Sequence, residues 1–307
     1  MRHAFIQTLV DLALDDPSIV LLTGDLGYTV VEPFVEQFPE RFFNVGVAEQ
    51  NMLAVATGLA SCGLTPYAYS IATFASMRGY EFFRNGPVLH DLPVRLVGVG
   101  GGLDYGHNGS THYALEDIGI MRIQPGLTVV APADPAQTRS AVLATAAVPG
   151  PVYLRLGKGI GTIPELGGRF TLGRAELLGK GDDVAIVTCG GITTEAIVAA
   201  ELLAESAVDA TVAVVASIAP PPVDDLVDLL GRVHMCVTLE SHQVTGGLGS
   251  LVSEVVAEHG LGCRVLRRGM TSLPSGATGG PEYLHDLHRL SGCHVADVVL
   301  AALDLRR

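Results

Sequence analysis

The sequence has no apolar run approaching the ~20 residues that a membrane-spanning helix needs. Its opening stretch, MRHAFIQTLVDLAL, lacks the basic-then-apolar order of a secretory signal. Asp11 and the 3.6-residue apolar spacing there read as an amphipathic first helix. A cytoplasmic protein that neither crosses nor binds a membrane is expected. Basic runs are missing too: lysine occurs only as Lys158 and Lys180, and the net charge is −13, which argues against nucleic acid as a partner. Anionic small molecules stay open, because a site uses local charge and not the total. The five cysteines (Cys62, Cys189, Cys236, Cys263, Cys293) are odd in number and form no C-x-x-C pair. Neither a metal site nor a disulfide framework is expected, and buried reduced thiols are. There is no Walker-type loop and no G-x-S-x-G elbow. GVGGGLDYG (98–106) runs into a polar loop rather than a helix, which makes it a poor dinucleotide fingerprint. His107 and His112 do not have a standard zinc spacing, and Ser110 beside His112 does not make a hydrolase triad.

What is present is a chain of 307 residues, 48% hydrophobic with 37 glycines, long enough for two domains. Apolar runs at 19–23, 42–47, 94–100, 127–131, 152–156, 184–188, 210–215, 236–240 and 263–268 alternate with helical patterns. Continuous apolar strands separated by helices predict an α/β fold whose mostly parallel sheets are covered on both faces. Asp134-Pro135-Ala136-Gln137 predicts an N-cap, a first-turn proline and a polar third position for a helix ending near Ala147. The glycine-rich stretch 157–183 breaks the alternation. It reads as the crossing between two such α/β domains, 1–170 and 171–307.

Three polar clusters follow predicted strands. FFNVGVAEQNMLAVATGLA (42–60) takes a strand straight into an apolar helix and puts Glu49 at the joint. A carboxylate there must be paired, neutralised or used, because burying an isolated charge is costly; a helix-start acid favoured by the dipole is the alternative reading. YGHNGSTHYALED (105–117) follows VRLVGVG, at the strand end where open parallel sheets bind ligands. TGDLGYT (23–29) is a glycine-flanked turn around Asp25. In SIATFASMRGYEFFRNG (70–86) most aromatics read as core, and Arg78 and Arg84 as helix-surface or paired charges.

In order, RHAF (2–5), TGDLG (23–27), FFNVGVAEQNM (42–52), TFASMR (73–78), HNGSTHYALED (107–117), LTVVAPADPAQ (127–137), VYLRLGKG (152–159), GKGDDVAIVTCG (179–190), LESHQVTGGLGS (239–250) and RRGM (267–270) resemble the C-terminal half of transketolase. The resemblance spans nearly the whole chain. It implies a pyrimidine-binding domain for thiamine diphosphate followed by a smaller C-terminal domain. By resemblance, Glu49 hydrogen-bonds a pyrimidine nitrogen of the cofactor in a dry site. Phe74 stacks on that ring, Ile71 stands where a second aromatic is common, and Asp25 and Leu26 lie near the thiazolium. His112 matches the histidine that contacts the donor ketose. Arg2, Thr29 and Arg155 match positions at the sugar-phosphate end. Asn108 replaces the family aspartate that reads a donor hydroxyl, and Gly100 replaces a phosphate-binding histidine. Both departures put ordinary pentose-phosphate specificity in doubt. In LESHQVTGGLGS, Glu240 and His242 read as structural.

The family's mark for holding the cofactor diphosphate through Mg²⁺ is a GDG, and this sequence contains none. The pyrimidine-type region also starts at the first residue. The expected assembly is therefore a split transketolase. A partner subunit supplies the diphosphate domain and most of the Mg²⁺ ligands, with no metal ligand on this chain. A homodimer of this chain sits inside a heterotetramer. The expected reaction is transfer of a two-carbon ketol unit from a ketose, free or phosphorylated, to an aldose. The alternatives are the beta subunit of a 2-oxoacid dehydrogenase, a deoxyxylulose-phosphate synthase-like enzyme, and a non-catalytic scaffold subunit.

Overall fold

The structure, a computed structural model, describes residues 1–159, 161–272 and 276–304. Among them run twelve strands: β1 (Ile19–Thr23), β2 (Phe42–Asn44), β3 (Thr65–Ile71), β4 (Arg95–Val99), β5 (Thr128–Val130), β6 (Val152–Leu156), β7 (Glu176–Leu178), β8 (Val184–Thr188), β9 (Ala210–Val214), β10 (Ser217–Ala219), β11 (Met235–Gln243) and β12 (Arg264–Met270). The nine apolar runs of the sequence all become strands. β1, β4, β6 and β8 are buried along their whole length, as expected for strands covered on both faces.

The strands form two sheets, β10-β5-β6-β4-β3-β1-β2 and β12-β11-β8-β9-β7. Pairing is parallel except at two edges, where β10 joins β5 and β7 joins β9 antiparallel. β3 escaped the sequence reading because Pro66 interrupts its run, and proline cannot donate to a ladder. The run FFNVGV is a strand only to Asn44. A turn containing Gly46, at φ 74°, then leads to the helix Glu49–Ser61, so strand and helix are not directly fused.

Local chemistry sets the helix ends. Asp134 accepts from Gln137 N at 2.6 Å to cap Pro135–Ala146, and Gln137 Oε1 accepts from Ala133 N at 2.8 Å. These two bonds satisfy donors that a helix start leaves open.

One apolar core lies between the helix Arg2–Asp15 and the first sheet. A second runs unbroken from the opposite face of that sheet, through Leu22, Met52 and Leu96, to Val187 of the second sheet and to Leu229 and Val252 on the helices Val223–Leu230 and Leu248–Glu258. The two sheets are also stitched by polar contacts. Gln243 N donates to Leu115 O at 2.8 Å, Gly119 N to His242 Nε2 at 3.2 Å, and Arg122 pairs with Glu254. Among the described residues, no helix is long and apolar enough to cross a membrane.

Candidate active site

The polar clusters come together beyond the C-terminal ends of β1, β3 and β4. Glu49 is the first residue of its helix and is 2% exposed. Its Oε1 accepts from Ser70 Oγ at 3.0 Å and its Oε2 from Arg78 Nη1 at 3.0 Å. The joint therefore does bury an acid, and the acid is paired. Ser70 is fully buried near the end of β3.

After β3 the backbone winds through a π-helical turn, Phe74–Arg78. Such wide turns are rare and concentrate at functional sites. The Arg78 guanidinium carbon lies 3.8 Å from the centre of the Phe74 ring, a cation–π contact. The His112 ring also meets Phe74 edge-on, with centres 5.1 Å apart and planes at 66°. Thr111 Oγ1 sits 3.0 Å from His112 Nδ1. Tyr105 is 6.4 Å from His112, and Lys158 Nζ lies 4.4 Å over the Tyr105 ring.

The loop after β1 closes on the same carboxylate: a Cβ added to Gly24 would stand 3.4 Å from Glu49 Oε1. Next to it, Asp25 adopts φ 57° and is exposed. Its N–H donates to Asn44 Oδ1 at 3.1 Å, and its Oδ1 accepts from Asn44 Nδ2 at 2.9 Å and Tyr28 OH at 3.1 Å. The bonds from Asn44 and Tyr28 hold the Asp25 carboxyl below its ordinary pKa. Leu26 is half-buried beside it, and Thr29, at φ 66°, donates its N–H to Glu32 Oε1 at 2.7 Å. Two non-glycine residues in the left-handed region within one short loop are unusual, and such conformations concentrate at binding sites.

Glu49, Phe74 and His112 are therefore neighbours, with the Asp25 loop adjoining. Ile71 closes β3 and is half-buried. Arg2 is half-buried at the start of the first helix, where its Nε has no partner and its charge reaches Tyr105. Asn108 is exposed in the short turn Gly106–Asn108. Gly100 has φ 74°, and a side chain there would strike the Tyr105 ring. The missing histidine thus corresponds to a space already filled.

Arg155, expected at a sugar-phosphate end, is held between the two sheets. It is 5% exposed, and its Nε donates to Asp117 Oδ2 at 2.7 Å, while Nη2 donates to Ala114 O at 3.2 Å and Ser241 O at 2.9 Å. Burial works against its charge, but Asp117 outweighs that and raises its pKa. Through Nε and Nη2 the guanidinium joins the two sheets.

The second sheet also steadies the loop that carries His112. Gly102 and Ala114 exchange backbone bonds of 2.9 Å at the loop's base, Leu103 N donates to Ser241 Oγ at 3.3 Å, and Tyr113 OH donates to Ala277 O at 2.7 Å. Glu240 takes the structural part expected of it, accepting from Leu248 N at 2.7 Å and Gly249 N at 2.8 Å at a helix start. His242 is buried, with Nδ1 2.7 Å from Gln243 O. Away from the cleft, Asp286, Cys293 and His294 gather potential metal-ligand atoms within 4.8 Å. Ser291 Oγ already contacts all three, as residues ahead of and within a first helical turn commonly do, which accounts for the grouping.

The sequence reading missed Ser70, Tyr105 and Asn44; of its two options for Arg78, a helix-surface or a paired charge, the structure shows the paired one. The usable signal for Arg78 was its i, i+4 spacing from Phe74, which puts the two side chains on one face of the turn.

Residues 1–162 match the transketolase pyrimidine-binding domain and residues 173–295 the transketolase C-terminal domain. The chain is 36% identical over 304 residues to a putative transketolase C-terminal section of Methanocaldococcus jannaschii, covering 98% of this chain and 95% of that protein. It is 37% identical over 289 residues to a 6-deoxy-6-sulfo-D-fructose transketolase subunit of a Clostridium species, covering 93% and 89%. A solved structure titled as a split gene transketolase, inactive beta4 tetramer, superimposes with a TM-score of 0.90 at 38% identity, covering 100% of this chain and 99% of that one. With both domains matched in order along nearly its whole length, the chain belongs to the transketolase family, whose enzymes are transferases.

Proposed function

We propose that this chain is the C-terminal subunit of a split, thiamine diphosphate-dependent transketolase that moves a two-carbon ketol unit from a ketose to an aldose. One observation carries the reading: a buried carboxylate, Glu49, and the Phe74 ring are bridged by one guanidinium, and the His112 ring packs against that same Phe74 ring. A flat heteroaromatic ring fits this arrangement. The planar Arg78 guanidinium already touches the Glu49 carboxylate and covers the Phe74 face, so a flat group in its place reaches both. When bound, the cofactor supplies the electron sink for the broken carbon–carbon bond.

Each residue of the chain then has a part. Glu49 holds a proton at a ring nitrogen, fixed by the Ser70 hydroxyl. Phe74 and Ile71 line the ring, and Asp25 and Leu26 border the reacting end. His112 exchanges a proton with donor oxygens, as general acid–base work requires. Arg2, with its Nε unpartnered, and Thr29 and Asn108 face the substrate's polar end. Mg²⁺ and the diphosphate belong to a partner subunit. That requirement is supported by the open side of the cleft, where the Arg78 side chain is 45% exposed, and by the solved relative being titled inactive as a beta4 tetramer. The assembly is a homodimer of this chain within a heterotetramer, in the cytoplasm, with the division into domains near residue 170. The relative named for a sulfo-deoxyfructose supports leaving the donor open among ketoses.

The test is ketol transfer from a ketose phosphate to an aldose, with thiamine diphosphate and Mg²⁺. It is run with the chain alone, with a partner carrying the diphosphate motif, and with Glu49→Gln in the mixture. Activity only in the mixture, with severe loss in Glu49→Gln, is expected. Full activity of the chain alone, or of Glu49→Gln in the complex, overturns the reading.

A further inference from the structure

We propose that Arg78 is a resident plug of the pyrimidine site: it occupies Glu49 and Phe74 until the cofactor ring displaces it. The inference rests on the cofactor reading above and concerns what the site does before it is loaded. The two contacts of Arg78 are the two that the ring needs. Its Nη1 is 3.0 Å from Glu49 Oε2, and its guanidinium carbon is 3.8 Å from the Phe74 ring centre. One flat group fits there, so arginine and ring exclude each other.

Glu49 has reason to keep such a partner. Its side chain is 1% exposed, and its other recorded side-chain bond, from Ser70 Oγ, brings no charge. Without Arg78 the carboxylate would be a buried, uncompensated anion, which is strongly unfavourable. The nearby Arg84 does not substitute, since its Nη1 donates to Asn85 at 2.8 Å in an exposed position.

Arg78 also has an exit. Its side chain is 45% exposed and it ends the π-helical turn, followed by Gly79, so it can swing outward without unpacking the core. A half-exposed ion pair is a weak lock compared with a buried one. The plug therefore slows and weakens loading without preventing it.

The experiment is calorimetric titration of thiamine diphosphate with Mg²⁺ into the complex of this chain with its diphosphate-domain partner, comparing wild type, Arg78→Met and Arg78→Gln. Met removes charge, donors and stacking plane; Gln keeps a donor and carries the test if Met does not fold. About tenfold tighter binding by the variants is expected, the scale of a solvent-exposed cation–π contact together with a half-exposed ion pair. A second arm measures the melting temperature of this chain alone. Arg78→Met should lower it in the wild-type background and lower it less in a Glu49→Gln background, where no anion needs compensation and only the Phe74 contact is lost. Equal or weaker cofactor binding by the variants, while wild type binds, overturns the plug alone. No binding by wild type overturns the cofactor reading and the plug with it.

Discussion

Arg155 Nε and Asp117 Oδ2 meet at 2.7 Å where the two sheets join, and neither side chain is more than 5% exposed. Tyr153 OH adds a bond of 2.8 Å to the same oxygen, and the guanidinium continues to the Ala114 and Ser241 carbonyls. Removing one partner of such a pair leaves an uncompensated buried charge, whatever the pair itself contributes. Asp117→Ala is therefore expected to destabilise the chain by about 3–5 kcal/mol, measured by urea unfolding. An unchanged midpoint would mean that Arg155 finds another counter-charge, and the joint would need a different explanation.

His285 lies in the same region, buried, with Nε2 3.1 Å from Ser241 Oγ. Burial lowers its pKa from 6.5 to about 4, with a smaller push from His288. Above pH 6.5 it is neutral in both the folded and unfolded chain. Below that, the unfolded chain takes up a proton that the folded chain refuses until about pH 4. Stability present above pH 6.5 is thus lost as pH falls through this window, by up to about 3 kcal/mol. Buried His242 acts in the same direction. Glu240 opposes both. Burial raises its pKa to about 7 against the pull of two backbone N–H groups, so its contribution fades as pH rises from 4.5 to 7. The net slope of the wild type mixes these groups, but a difference isolates one. Unfolding midpoints from pH 4 to 8 should fall less toward acid in His285→Gln than in wild type. Parallel curves would show that His285 is accessible to protons in the fold.

These particulars also show what the sequence could and could not reveal. Runs such as VAIVT at β8 are legible because a strand covered on both faces must be apolar throughout. Asp134 is legible as a cap because the donors it satisfies are local. Glu49 was legible as a buried acid, because apolar residues flank it on both sides in sequence. Its partners were not, since Ser70 lies on a strand that Pro66 disguises and Arg78 lies 29 residues further along the chain, after that strand. Arg155 shows the converse. The motif gives its position, but its direction is set by Asp117 and by Ser241 from the other sheet.

Gly100 offers a test of how far the site has diverged within its family. At φ 74° it occupies the region that non-glycine residues reach only at a cost, and the Tyr105 ring fills the space before its Cβ position. Tyr105 in turn is covered by Lys158 Nζ at 4.4 Å and stands 6.4 Å from His112. An aromatic ring and a lysine therefore hold the ground where the resemblance to transketolase leads one to expect a phosphate-binding histidine. Restoring that histidine is not a local change. Gly100→His is expected to destabilise the chain by at least about 1–2 kcal/mol from the backbone alone, with more from the clash with Tyr105. Pairing it with Tyr105→Ala should recover the clash component and leave the backbone component, which thermal unfolding of the three variants separates. If Gly100→His were as stable as wild type, Tyr105 would have to move without penalty, and its ring could not be what shapes this end of the cleft.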